Sequence, residues 1–207
     1  MSEGPPDTAP ARAELWDARQ AAHDPIESAD ADPTLVEVAA TMTPGAALDL
    51  GAGDGRNTVW LAAHGWRVTA VDFSAVALDR GRALAATTGV DVDWRLEDLL
   101  AWTPPAASFD LVALAFIHLP AEERRRVYAT AADAVAPGGT LLVVGHDRSN
   151  LDEGAGGPQD PDVLFTPGDI VEDLGPAWRI VRADTIRRPG ATEPAPIDAI
   201  VVAVRSR

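Results

Sequence analysis

From residue 46 onward, short apolar runs alternate with segments whose apolar positions recur three or four apart, the pattern of strands interleaved with helices. Residues 46–50 are an apolar run into a glycine-rich turn, 58–64 have helical spacing, and 66–71 form a second strand closing on Asp72. Together they make a βαβ unit. Ser74 is placed to cap a helix running to about residue 86, 90–96 alternates as a strand, and 109–116 is the continuous apolar run of a strand buried on both faces. A helix over 120–136 is stopped by Pro137-Gly138-Gly139 before a strand at 140–145. Thr166-Pro167-Gly168-Asp169 opens a short helix, and 177–183 and 198–205 read as two final strands. The segment 146–166 between them is polar, rich in Gly, Asp and Pro, and has no period, as expected of a functional lid or a disordered loop. Ahead of the repeating part, residues 1–10 read as a disordered leader, and Leu15, Trp16 and Arg19 give 11–23 a helical spacing. Asp32-Pro33-Thr34 then opens a second helix that Pro44-Gly45 ends.

Alternating strands and helices joined by right-handed crossovers predict a parallel α/β sheet covered on both faces. The length of 207 residues fits one domain, taken as 11–207. Within it, 11–44 are N-terminal helices or a lid, 45–145 the cofactor-binding core, and 146–207 the substrate loop and last strands. A net charge of -15 repels phosphate backbones and anionic lipid, so neither nucleic acid nor a membrane is the expected partner. The basic run Arg124, Arg125 and Arg126 lies among Glu122, Glu123 and Asp133 and reads as a solvated helix face. The absence of cysteine removes disulfides and any cysteine nucleophile. All 17 basic residues are arginine, which removes a catalytic or phosphate-gripping lysine. With no signal peptide and no long apolar run, a cytoplasmic protein is expected, a monomer or a homodimer.

The segment LDLGAGDGRN, residues 48–57, carries a strand through a turn containing Gly51, Gly53 and Gly55 into a helix. Glycine lets a ligand lie against the main chain, and Asp72, at the end of the next strand, can accept both hydroxyls of a ribose. In a dinucleotide fingerprint the third glycine would stand where this chain has Arg56. Asp49 adds a carboxylate at the strand end, which repels a pyrophosphate and suits a cation.

LDLGAGDGRN, VDFS at 71–74, Glu97-Asp98, FDLVALAFIHLP at 109–120 and APGGTLLVV at 136–144 resemble the ordered motifs of class I S-adenosylmethionine-dependent methyltransferases. GDGRN followed by VWLAAHGWRVTAVDFS resembles the small-molecule branch that includes tellurite-resistance and thiopurine-type enzymes. The resemblance implies a Rossmann-like three-layer αβα sandwich, its seven-stranded sheet mostly parallel with an antiparallel last strand. It implies S-adenosylmethionine as cofactor and S-adenosylhomocysteine as product. Gly51 and Gly53 would line the methionine part, with Asp49 near its ammonium and Asp72 on the ribose. Phe73 would lie on an adenine face or belong to the core. Asp98, with the backbone of Leu99, would read the adenine edge, or Asp98 would cap the turn before Trp102. Arg56 would meet the methionine carboxylate or pair with Asp54. Trp16 would cover the cofactor from the N-terminal helix, and Phe116 would face it from the end of its strand.

In open α/β sheets the reactive crevice lies beyond the carboxyl ends of the strands, which is where His118 and His146 fall. Histidine can take the proton of an attacking hydroxyl, amine or thiol, although a sulfonium leaving group makes a protein base optional. Each histidine is therefore either the base or a packed loop residue; His23 and His64 read as structural or solvent-facing. Asp147 and Asn150 are placed to orient a substrate or a histidine. The ligand spacing of a metal site is missing, and none is expected. The expected function is methyl transfer to an O, N or S atom of a small molecule. The rivals are a non-catalytic binding module and a nicotinamide-dependent reductase, the latter disfavoured by the missing third glycine and the absence of a Tyr-x-x-x-Lys pair.

Overall fold

The computed structural model describes Asp17, residues 30–188 and residues 194–207. The expected leader, Trp16, His23 and the first helix apart from Asp17 lie outside the described residues. In chain order the elements are α1 (Pro33–Ala40), β1 (Ala46–Leu50), α2 (Arg56–Ala63), β2 (Arg67–Asp72), α3 (Ala75–Thr88), β3 (Asp93–Leu96) and β4 (Phe109–Ala115). There follow α4 (Ala121–Ala134), β5 (Val135–His146), α5 (Asn150–Glu153), a 3₁₀ turn (Pro161–Val163), α6 (Pro167–Leu174), β6 (Trp178–Arg187) and β7 (Ile197–Arg205).

The seven strands form one sheet in the order β3-β2-β1-β4-β5-β7-β6. Every pairing from β3 to β5 is parallel, and β7 runs against both of its neighbours. This is the expected Rossmann-like αβα sandwich with an antiparallel last strand. Side chains alternate between the two faces of the sheet. Leu48 and Leu50 of β1 pack with Val112, Leu114, Leu141 and Val143 on one face. Ala47 packs with Leu111, Ala113, Leu142 and Val144 on the other. Strand order reverses between β1 and β4, which leaves a crevice at the carboxyl ends of those two strands.

The helix signals act as read. Asp32 caps α1 by accepting from the backbone N–H of Thr34 at 2.9 Å and Leu35 at 3.2 Å. Ser74 accepts from Ala77 N at 3.1 Å at the start of α3. Thr166 and Asp169 form a reciprocal capping box on α6, with Pro167 at its first turn.

The structure corrects four expectations. β3 begins at Asp93, because Val90 is held back by its N–H bond to Ala85 O, 3.1 Å, at the end of α3. Pro137-Gly138-Gly139 does not separate α4 from its strand: α4 ends at Ala134, Val135 already pairs with Phe109, and the ladder resumes at Leu111 with Thr140. The three residues form an irregularity within β5. Arg124 is not solvated but only 2 % exposed. The buried stripe of α4 runs through Arg124, Val127, Tyr128, Ala131 and Ala134. Charge patterning missed this because Arg124 falls on the inward side of the helical period, where its guanidinium stands 5.6 Å from the Phe165 ring and 3.8 Å from Asp173. Arg125 and Arg126 are exposed as expected.

The fourth correction concerns 146–166, which contains α5 and the 3₁₀ turn and ends on two core side chains, Leu164 and Phe165. Phe165 fills the space left by Gly145, where a Cβ would stand 2.7 Å from its ring, and it meets Tyr128 edge-on at 6.3 Å. Arg148 N donates to Phe165 O at 3.1 Å, closing the segment on itself. Truncating a fully buried phenylalanine removes its transfer energy and leaves a cavity. Phe165→Ala is expected to cost about 3–5 kcal/mol in urea unfolding; a loss below about 1 kcal/mol would show that the segment is not anchored there.

Candidate active site

The turn after β1 is fastened to the end of β2: Gly51 N and Ala52 N both donate to Val71 O, at 2.8 and 3.0 Å. Its glycines meet different neighbours. A Cβ on Gly51 would lie 2.9 Å from Ile117, and one on Gly55 would lie 2.7 Å from the Trp94 ring. Gly53 differs, because at φ +55° a Cβ there would meet nothing within 4 Å. The backbone at Gly53 therefore borders open space in a conformation that side chains rarely adopt.

Two buried acids lie at the ends of the strands that hold this turn. Asp49, 1 % exposed, accepts from the Thr58 hydroxyl at 2.6 Å. Burial pushes its carboxyl up to about 6, partly opposed by the Thr58 bond and reinforced by the charge of Asp72. Asp72, 3 % exposed, accepts from Gly53 N at 2.8 Å and Ser74 N at 2.9 Å. Burial also raises Asp72, against those backbone donors and with a further push from Asp17. Each carboxylate oxygen has two lone pairs, so Asp72 keeps acceptor capacity for hydroxyls. Asp17 reaches this corner from the N-terminal segment and accepts from the Ser74 hydroxyl, a contact that sequence spacing gave no means of finding.

Glu97 N donates to Asp72 O at 3.0 Å, which brings the end of β3 beside the end of β2. Asp98 adopts the turn-capping geometry, one oxygen accepting from Leu100 N at 2.9 Å. Leu99 is half-buried against the core, and Phe73 is half-buried outside both core clusters. Arg56 stands 3.6 Å from Asp54, the surface pairing.

The far wall of the crevice comes from the ends of β4, β5 and β7. Phe116 closes β4 at φ +57°, a left-handed conformation that costs a non-glycine residue about 1–2 kcal/mol. The rings of His118 and His146 stack at 5.3 Å with 17° between planes. Burial first, and then the neighbouring His146, lower His118 to about 4, so it is uncharged near neutrality. Its Nε2 is buried without a hydrogen-bond partner. His146 Nδ1 lies 3.3 Å from Asp198 Oδ1, and Asp198 in turn receives two hydrogen bonds of 2.8 Å from Arg188. The Arg188 guanidinium rests 4.8 Å above the Phe116 ring. Ile117, between Phe116 and His118, touches the Gly51 backbone and so joins the two walls.

Asp147 and Asn150 do not orient the histidines through any hydrogen bond of the described residues. Asp147 accepts from Ser149 N and Oγ, at 2.9 and 2.7 Å. Asn150 donates to Gly156 O at 2.9 Å and accepts from Ile197 N at 2.8 Å. The acid beside the histidine is Asp198, which the sequence reading missed. Its signal was present, as the one acid inside the apolar run IDAIVVAV, since a buried acid requires a partner. Arg188 gave no such signal. His64 stacks on Trp60 at 3.8 Å, a structural role. Among the described residues, no group of three or more His, Asp or Glu is placed to hold a metal, and no helix is long and apolar enough to cross a membrane.

The donor set fits a nucleoside that carries a positive charge. Gly53 leaves space for a ligand, Asp72 offers a carboxylate beside it, and Asp49 is a buried acid whose ionisation a nearby cation would restore.

Comparison with known proteins agrees. A family described as a methyltransferase domain matches residues 47–139. The chain is 36 % identical over 141 residues to a trans-aconitate 2-methyltransferase of Rhizobium meliloti, covering 67 % of this chain and 52 % of that protein. It is 34 % identical over 109 residues to a ribosomal RNA small subunit methyltransferase C of Alcanivorax borkumensis, covering 49 % of this chain and 32 % of that one. The chain thus spans between about a third and about half of the length of these curated relatives. The N-methyltransferase NodS of Bradyrhizobium japonicum, solved with S-adenosylhomocysteine, superposes with a TM-score of 0.73 over 93 % of this chain and 98 % of that one, at 18 % identity. Turn, acids, sheet order and these matches lead to one assignment: residues 47–139 match a methyltransferase domain, carried on a Rossmann-like sheet.

Proposed function

We propose that this chain transfers the methyl group of S-adenosylmethionine to an O, N or S atom of a small molecule. The observation that carries the reading is the open space at Gly53, whose N–H donates to the buried carboxylate of Asp72. In this reading Gly51, Gly53 and Asp49 hold the amino-acid end of the cofactor, with Arg56 released from Asp54 to meet its carboxylate. Asp72 holds the ribose, Phe73, Asp98 and Leu99 hold the base, and Phe116 and Trp16 close the site. When bound, S-adenosylmethionine supplies an electrophilic methyl carbon on a positively charged sulfur. The chain contributes orientation of the acceptor atom, exclusion of water, and an imidazole, His118 or His146, to take the proton that the acceptor loses. The net charge of -15 favours a small acceptor over a phosphate backbone, and the cytoplasm is the proposed setting.

The Asp49 titration gives this reading a measurable sign. Burial raises its pKa from 3.8 to about 6, so the folded protein binds this proton more tightly than the unfolded chain. The penalty is absent below about pH 4, grows as pH rises, and reaches about 3 kcal/mol above pH 6 in the ligand-free protein. Asp49→Asn, which keeps an oxygen for the Thr58 hydroxyl, is expected to stabilise the ligand-free protein towards urea at pH 8 and to change nothing at pH 4. Equal stability at both pH values would show that Asp49 carries no such penalty.

Cofactor affinity should run the other way. In calorimetry, S-adenosylmethionine is expected to bind the parent more weakly as pH falls through about 6, and Asp49→Asn to lose at least about tenfold at pH 8. Gly53→Ala is expected to fold and to lose binding; unchanged binding by both variants would remove the cofactor from this turn. Incubation with methyl-labelled cofactor and a metabolite extract should give a labelled product together with S-adenosylhomocysteine. Binding with no product from any extract would instead favour a non-catalytic binding module.

A further inference from the structure

The histidine wall contains more than two rings. His146 presents Nδ1 to Asp198 Oδ1 at 3.3 Å, in a place where both side chains are close to nine-tenths buried or more. A lone pair on that nitrogen would face a carboxylate in a poorly solvated site, which is repulsive, whereas an N–H would be attracted. On the opposite edge of the ring, a Cβ at Gly157 would stand 2.6 Å from Cδ2 and 2.8 Å from Nε2, so the ring lies against the Gly157 main chain in the place a side chain would take. Asn150 holds both sides of this arrangement, binding Gly156 O and Ile197 N, the neighbours of Gly157 and Asp198. Arg188 locks the Asp198 carboxylate with two hydrogen bonds of 2.8 Å.

We propose that Asp198, held by Arg188, is a positioning residue that keeps a proton of the His146 imidazole on Nδ1, so that Nε2 is the nitrogen that accepts the substrate's proton during methyl transfer. The inference rests on the function proposed above and selects His146 from the pair. With S-adenosylmethionine bound, the acceptor would give its proton to Nε2 as it takes the methyl group, the methyl–sulfur bond would break to leave S-adenosylhomocysteine, and the imidazolium would be stabilised by Asp198 through Nδ1–H. His118, stacked on the same ring and uncharged, gives His146 a neutral neighbour, and the Phe116 ring borders it at 5.4 Å.

The test is long-range proton–nitrogen NMR of the nitrogen-15-labelled full chain, with His146 assigned by His146→Gln. The parent is expected to show His146 protonated on Nδ1 near pH 8. Asp198 faces Nδ1 and is itself bound by Arg188, with His118 stacked on the ring. Asp198→Ala is expected to remove the preference for Nδ1, read as mixed protonation of the two ring nitrogens, whereas Arg188→Gln leaves the carboxylate in place and should keep it. A part for Asp198 in packing alone would leave the tautomer unmoved. A parent proton on Nε2, or an unchanged tautomer in folded Asp198→Ala, overturns the proposal, and the parent spectrum decides even if Asp198→Ala fails to fold. Calorimetry with S-adenosylhomocysteine runs alongside: failure of the parent to bind it sinks the methyltransferase reading and leaves the tautomer result standing by itself.

Discussion

A carboxylate that water hardly reaches closes the central strand of this sheet, and the arrangement around it follows from how that charge is accommodated. Asp49 shares a sheet face with Ala47 and, in a strand paired on both sides, is 1 % exposed. Thr58 on α2 donates to it from its hydroxyl, so helix and strand meet at the point where the glycine turn must pass. A second acid, Asp72, ends the adjacent strand and ties itself to the same turn through Gly53 N. Two buried acids on one turn disfavour each other's ionisation, and a cation placed between them relieves both. Ground-state stability and ligand affinity are thus set against each other in the same residues.

The opposite side of the crevice is built on different terms. Phe116 holds a backbone conformation that a side chain resists, and the strain sits where β4 hands over to the segment carrying His118. Strain of this kind persists only where the surroundings fix it. Here Phe116 N donates to Val144 O at 2.7 Å, and the Arg188 guanidinium covers the ring. Arg188 is in turn committed to Asp198 on the antiparallel strand β7. The last two strands of the sheet therefore reach into the histidine wall, besides extending the core.

Much of the scaffold was legible in the chain, for physical reasons that operate locally. Asp32, Ser74 and Thr166 cap helices because their side chains reach N–H groups two or three residues ahead, which spacing alone reveals. The run at 109–116 reads as a strand because burial on both faces demands apolar residues throughout. Reading failed where a residue's partner lay elsewhere. Arg124 sits in a charged stretch yet faces inward, and Leu164 and Phe165 end a polar segment yet complete the core against Gly145. Asp147 and Asn150 were near the histidines in sequence, but their hydrogen bonds go to the turn and to β7.

The sequence by itself determined the alternation of strand and helix, the glycine turn after the first strand and the acids at the strand ends, because each depends on hydrophobic period or on conformations available to neighbouring residues. Tertiary structure decided which of the three glycines borders open space, that Asp17 returns to Ser74, and that Asp198 and Arg188 stand beside His146. Those contacts join residues as much as 57 positions apart. They depend on strand order and register, which no local pattern of side chains encodes.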